Sequence, residues 1–251
     1  MNRKTLLSVL LLFLACTASV CAKEIKVGFG QDSPPFIIGQ TGQGLEIDIF
    51  KAALANKGYT INVVHMPKKR LENAFHSTPT LDAIANATAP PLINDGFYYV
   101  AGFVHFEDYA FTKARNHLTI DKISDLKGLD IIAWGNAHRG LGAEFEALFK
   151  PEPKEEYKKH YSEKDQKIQN LMFWTNRVQV IICDKTIFAW YRKQLQNEID
   201  TRDEVKIHPI FPKQTYYAAF KDKKLADEFA AGLAEIKKSG LYDSLYRKYT
   251  E

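Results

Sequence analysis

The chain has 251 residues, 45% of them hydrophobic and 25% charged, with a formal net charge of +4. A balance so close to neutral argues against nucleic acid as a partner. Three cysteines, two of them near the N-terminus, exclude a disulfide framework.

In chain order, Arg3 and Lys4 precede an apolar run, Leu6 to Ala15, that is too short to span a membrane. Val20-Cys21-Ala22 then fits a small-residue cleavage site. A signal peptide over residues 1–22, cleaved after Ala22, is expected, and with it a periplasmic location. A lipoprotein reading would place lipid on Cys16, but Phe13 fits that site poorly. No later apolar stretch is long enough for a membrane helix. The mature chain keeps Cys183, which lies in an apolar strand pattern and reads as an inert core residue.

Glu24 to Phe29 alternates as a strand does. Gly30 to Gly44 is a long loop rich in Gly and Pro, and such loops are usually functional. Leu45 to Lys57 reads as a helix stopped by Gly58. Its first acids, Glu46 and Asp48, are placed to stabilise the helix dipole. Tyr59 to His65 is a second strand, and Met66-Pro67 opens a helix through Arg70, Leu71 and Phe75. Leu81 to Ala85 is a third strand ending near Asn86 and Thr88. This β-α-β-α-β order predicts a parallel sheet with right-handed crossovers.

The middle differs. Ala89 to Gly102 is rich in Pro, Gly and aromatics, and Tyr98 and Tyr99 could pack or line a cleft. Phe103 to Lys113 reads as one extended segment passing between two lobes. Ile123 to Gly128 is a short helical turn, and Leu129 to Trp134 a strand that begins a second β-α series. Gly140 to Phe149 and Glu163 to Thr175 read as helices, the latter with a core stripe of Ile168, Leu171, Met172 and Thr175. Arg177 to Asp184 is a nearly continuous β-branched run, the pattern of a strand buried on both faces. A helix from Asp184 to Gln196 follows, then strands Val205 to Phe211 and Thr215 to Phe220. Helices Leu225 to Lys238 and Leu241 to Tyr249 end the chain. The expected organisation is lobe 1 over residues 23–110 and 215–251, lobe 2 over residues 111–214, and a cleft between them.

Six stretches fall in an order seen elsewhere: Ile25-Lys26-Val27-Gly28, Pro34-Pro35-Phe36, Gly44-Leu45-Glu46-Ile47-Asp48, Leu126-Lys127-Gly128, the Arg177–Asp184 strand, and the run from Gly240 to Tyr246. On these the chain resembles the family 3 extracellular solute-binding proteins, the periplasmic amino-acid receptors of ABC importers. The resemblance covers essentially all of the mature chain. It implies an α/β type II periplasmic-binding-protein fold, two α/β lobes joined by two hinge crossings, and a ligand of amino-acid size. It also implies an aromatic lid at Phe36, a polar contact at Asp32 and an ammonium-binding carboxylate at Asp184. The family's carboxylate-binding Arg after the third strand is missing. That stretch reads Asn86-Ala87-Thr88, and no Lys or Arg occurs from Leu71 to Thr112.

Each candidate contact has a plainer reading. Asp184 can cap the following helix. Asp32 in Asp-Ser-Pro-Pro can be turn chemistry. Trp134, at the crevice edge, can stack on a ligand or fill the core. Asn136 and Arg139 flank a helix start suited to anions, where Arg139 could replace the missing anchor or simply be solvated. Arg70 is a second substitute, in a Lys68-Lys69-Arg70 run that also reads as a surface cluster. Asn86 and Thr88 offer neutral hydrogen bonds. No catalytic residue, cofactor or metal site is expected: the histidines lack metal spacing, and His105 with Glu107 lacks a third ligand. The expected partners are a small polar or zwitterionic solute and the membrane permease of an ABC importer, with the protein a monomer. A sensory receptor for a membrane signalling protein and a dehydratase-like enzyme are the alternatives. For the enzyme, His138 and Asp184 are the only acid–base pair the sequence offers.

Overall fold

The computed structural model describes residues 22–39, 41–87, 95–150, 161–213 and 215–251. The expected leader and its Cys16, and the candidate Thr88, lie outside them. So do Ala89 and Pro90 and the whole Pro151–Pro153 connector. No helix among the described residues is long and apolar enough to cross a membrane.

Two five-stranded sheets organise the described residues. The first contains β1 (Lys23–Phe29), β2 (Tyr59–His65), β3 (Ala83–Ala87), β4 (Tyr98–Ala101) and β10 (Tyr217–Phe220), in the order β2-β1-β3-β10-β4. β1 runs parallel to β2 and β3, and β10 runs antiparallel to β3 and β4. β1 alternates as its sequence requires. Lys26 is exposed while Ile25 and Val27 are buried, and Phe29 closes the strand inside the core. Gly28 leaves room for helix α2 (Lys68–Ser77): a Cβ there would run into Leu71. On the other face, α1 (Leu45–Leu54) packs with α7 (Lys223–Lys238) and α8 (Leu241–Thr250). Gly232 of α7 lies against the Ala53 carbonyl of α1, an approach that no side chain permits.

The second sheet contains β5 (Asp108–Lys113), β6 (Ile131–Ala133), β7 (Tyr161–Glu163), β8 (Val180–Asp184) and β9 (Val205–His208), in the order β7-β6-β8-β5-β9. The β-branched run expected to be buried on both faces is β8, the central strand, and all five of its residues are buried. Its sheet is mixed: β6 is parallel to β8, but β5 is antiparallel. α6 (Lys185–Leu195) follows β8, and its Phe188 stacks on Phe111 of β5 with ring centroids 4.1 Å apart.

The chain leaves the first sheet after β4, enters the second at β5, and returns between β9 and β10. The expected boundary at residue 110 therefore cuts through a single strand. Pairing along β5 runs unbroken from Asp108 to Thr112 against β8, so the crossing is the stretch before it. Aromatic rings tie the two crossings together. Phe106 stacks on Phe36 at 4.1 Å and meets Tyr216 edge-on at 4.9 Å. Glu107 joins Lys185 at the start of α6 and Lys213 of the return crossing, the latter at 3.2 Å.

Several element boundaries depart from the sequence reading. The helix expected over Gly140 to Phe149 is two short helices, α3 (Ala137–Gly140) and α4 (Ala143–Phe149), broken at Gly142 in a left-handed conformation. The helix expected from Glu163 starts later, as α5 (Gln166–Trp174), capped by the Asp165 carboxylate accepting from Ile168 N. Its buried residues are Gln169, Asn170, Phe173 and Trp174; of the expected stripe, Leu171 and Met172 pack half-buried against the core while Ile168 and Thr175 are exposed. Edge strands β4 and β7 were not anticipated.

Candidate functional site

Asp184 closes the central strand β8 and caps α6. Its Oδ1 accepts from Thr186 N at 2.7 Å and Ile187 N at 3.1 Å. Its Oδ2 accepts from Glu107 N at 2.7 Å, which pins the first crossing to the start of α6. The side chain is 2% exposed, and capping occupies both of its oxygens. Burial pushes its pKa up to about 6, against the three backbone N–H donors that stabilise its ionised form. Asp108 lies directly opposite on β5. Burial, and then the Asp184 charge, push its pKa up to about 7. Tyr216 on the return crossing is raised to about 12, chiefly by burial and then by Asp108, Asp184 and Glu46. A buried and a half-buried acid thus lie together where the two crossings meet.

Beside them, at the carboxyl ends of β1 and β3, is a cavity of about 210 Å³. Its walls include Gly30 after β1, Ile84 and Ala85 of β3, Lys68, Leu71 and Glu72 of α2, Glu46 of α1, and Phe106 and Tyr216 from the two crossings. Ligands of open α/β sheets bind at strand carboxyl ends of this kind. Glu46 is fully buried. Burial raises its pKa from about 4.5 to about 8, with the Lys68 charge acting in the opposite direction. The Lys68 ammonium sits 5.8 Å from the centroid of the Tyr216 ring.

The candidate residues from sequence do not gather around this cavity. Asp32 accepts from Gly39 N at 2.5 Å and so closes its own loop. Phe36 is fully buried in the first core, under Phe106, which is itself a cavity wall. Arg70 is exposed on α2, next to the lining residue Leu71 but outside the lining. Asn86 belongs to β3, one residue beyond the lining residue Ala85, and its side chain is outside the description. Trp134 packs against the second core cluster. Asn136 is exposed with a positive φ of 63°, and Arg139 is exposed in the last turn of α3. Asp184 is the hinge cap described above. Lys68 and Glu46, which line the cavity, were read from sequence only as surface charge and dipole partner. For Glu46 a signal was present. It lies three and four residues before Ile49 and Phe50 and seven before Ala53, on the helix face that the apolar residues define.

Comparison with known proteins follows the fold. The family model for bacterial extracellular solute-binding proteins, family 3, matches residues 25–251. Among solved structures, an ancestral arginine-binding protein bound to arginine is similar at TM-score 0.62 and 19% identity, over 92% of this chain and 100% of that one. The arginine-, lysine-, histidine-binding protein ArtJ of the thermophilic bacterium Geobacillus stearothermophilus gives 0.60 and 18%, over 90% and 95%. A histidine kinase sensor domain with similarity to periplasmic binding proteins gives 0.60 and 15%, over 91% and 96%. No curated protein matches the sequence.

Proposed function

The chain belongs to the bacterial extracellular solute-binding proteins, family 3, and from that premise we propose that it is a periplasmic receptor that captures a small polar or amino-acid-like solute between two lobes and hands it to the permease of an ABC importer. The observation that carries this reading is the cavity at the carboxyl ends of β1 and β3, walled by Phe106 from one crossing and Tyr216 from the other. A solute held there touches both hinge segments. It therefore interacts differently with open and closed arrangements, the condition for a ligand to drive closure. The volume is below the ~300–1,000 Å³ of sites for drug-sized ligands and suits a smaller solute. The lining mixes apolar Leu71, Ile84 and Phe106 with Ser33, Glu46 and Lys68, which suits a solute with both apolar and charged parts.

Asp184 has a supporting part on this reading. It holds the first crossing against α6 and so fixes where the hinge bends. The protein binds and releases its solute unchanged. The test is mass spectrometry of small molecules released on denaturing the purified protein, followed by calorimetry with the solute identified and X-ray scattering with and without it. Saturable binding with a smaller radius of gyration supports the proposal. Release of no solute, together with no thermal shift across a panel of amino acids and small amines, sinks it.

A sensory role is the second reading, favoured by the fold shared with the histidine kinase sensor domain. Deleting the gene separates the two. An importer component abolishes solute uptake, whereas a sensor leaves uptake intact and abolishes a response to the solute.

A further inference from the structure

The charge arrangement of the cavity specifies more than its size. Among the described residues lining it, Lys68 alone is cationic, and it shares the cavity with the buried Glu46. Lys68 opens α2, immediately after Pro67, while Glu46 comes from the first turn of α1. The two charges therefore reach one small space from separate helices. The Lys68 ammonium also faces the ring of Tyr216, a residue of the return crossing, at 5.8 Å. All three residues of the run Lys68-Lys69-Arg70 are exposed, but only Lys68 is in the lining. One cation out of three in a row thus reaches the cavity, from its solvent-exposed side.

We propose that Lys68 is the specificity-determining residue for a carboxylate on the solute: its ammonium pairs with the solute's anionic end while the Glu46 carboxylate receives the cationic end. The ligand class is then a small zwitterion with separated charges, selected against its carboxylate-free counterparts. This rests on the receptor reading given above. Burial, which holds Glu46 protonated in the empty protein, is offset when a cation enters beside it. Lys68 then supplies the one positive counter-charge beside Glu46 and the other lining carboxylate, Glu72. Lysine acts here as a point charge on a flexible stem, not as a bidentate fork. Affinity for the carboxylate is accordingly expected to be moderate and sensitive to salt.

The experiment is calorimetric titration of the full mature protein with the common L-amino acids, and, for each that binds, with the matching amino-acid amide, whose carboxylate is replaced by a carboxamide. The wild type is expected to prefer acid over amide by about tenfold to a hundredfold, the range of a charge-assisted hydrogen bond. Lys68→Met keeps the apolar stem and is expected to bring acid and amide to within about threefold, by weakening the acid alone. Lys68→Arg is expected to keep the preference. Thermal melts of both variants check folding. An unchanged acid-to-amide ratio in Lys68→Met overturns the proposal, as does a wild type that binds acid and amide equally. In either case the receptor reading stands. A wild type that binds none of the amino acids overturns the amino-acid-like reading instead.

Discussion

Glu46→Gln is expected to stabilise the empty protein, and to do so only above the ordinary carboxylate range. Glu46 is fully buried, and burial raises its pKa from about 4.5 to about 8. A raised native pKa means that the folded state binds the proton more tightly than the unfolded chain. Stability from this group is complete below pH 4.5 and is lost progressively as pH rises through 8. At pH 7 the unfolded chain ionises the group while the native state keeps it protonated. The resulting cost is about 3 kcal/mol, from about 1.4 kcal/mol for each unit between 4.5 and 7. At pH 5 the same arithmetic leaves less than ~1 kcal/mol. Glutamine has the shape without the titration, so the difference between variant and wild type measures this cost directly. For a chain of this size, ~3 kcal/mol raises the melting temperature by about 6–12 °C at pH 7. Paired urea melts at pH 5, 6, 7 and 8 read it out. A difference that does not grow with pH refutes the assignment of a buried, proton-holding carboxyl.

The remaining expectations concern the hinge and the core. Asp184→Ala removes one acceptor from three backbone N–H groups, a lost cap at ~1 kcal/mol and a further unsatisfied donor at ~1–3 kcal/mol. A total loss of about 2–4 kcal/mol is expected in denaturant melts, and a loss under ~0.5 kcal/mol contradicts the capping geometry. Gly232→Ala drives a Cβ into the Ala53 carbonyl and is expected to destabilise by about 1–3 kcal/mol or more. An unchanged urea midpoint shows that α1 and α7 can part without penalty. Glu107→Gln severs both lysine partners of a partly exposed carboxylate whose pKa is lowered to about 2, chiefly by the Lys185 hydrogen bond. Its native pKa is depressed, so its contribution is present above pH 4.5 and fades as pH falls towards 2. Solvent screening keeps it under ~1 kcal/mol, and it should vanish in 1 M salt.

The α/β class and the central strand were legible because burial on both faces leaves a direct trace, the continuous run ending at Asp184. The terminal helix α7 was legible for a related reason: Leu225, Phe229, Leu233 and Ile236 repeat at helical spacing and all are buried. β4 was not legible. It has four residues, none fully buried, and its one partner, β10, lies more than a hundred residues away. Nothing local announces such a pairing. The face of α5 was misread because polar residues occupy its core. Gln169 donates to Lys164 O and Asn170 to Gln166 O, which satisfies their amide nitrogens inside the fold, while Ile168 faces out. At the site, the sequence placed Asp184 at the right strand end but could not say that three backbone donors would occupy it. Lys68 was hidden by Lys69 and Arg70: three adjacent exposed cations look alike until the helix start fixes which one borders the cavity.

The acids at the crossings bear on how such a protein divides stability from function. Glu46, Asp108 and Asp184 all have carboxyl pKa values raised first by burial, and Tyr216 responds to all three. Each therefore contributes more to folding at low pH than near neutrality. A core chosen for stability alone would hold apolar residues at these positions, since buried charge rarely outperforms packed hydrocarbon. Their cost in the empty protein falls on and beside the two crossings, the place that must rearrange if the lobes close. A cation entering there lowers that cost, so ligand affinity and hinge stability draw on the same electrostatic term. A solute without a positive end meets Glu46 still protonated and gains little from it. The selectivity proposed for Lys68 completes this arrangement from the other side, because it rejects a simple amine that Glu46 alone would accept.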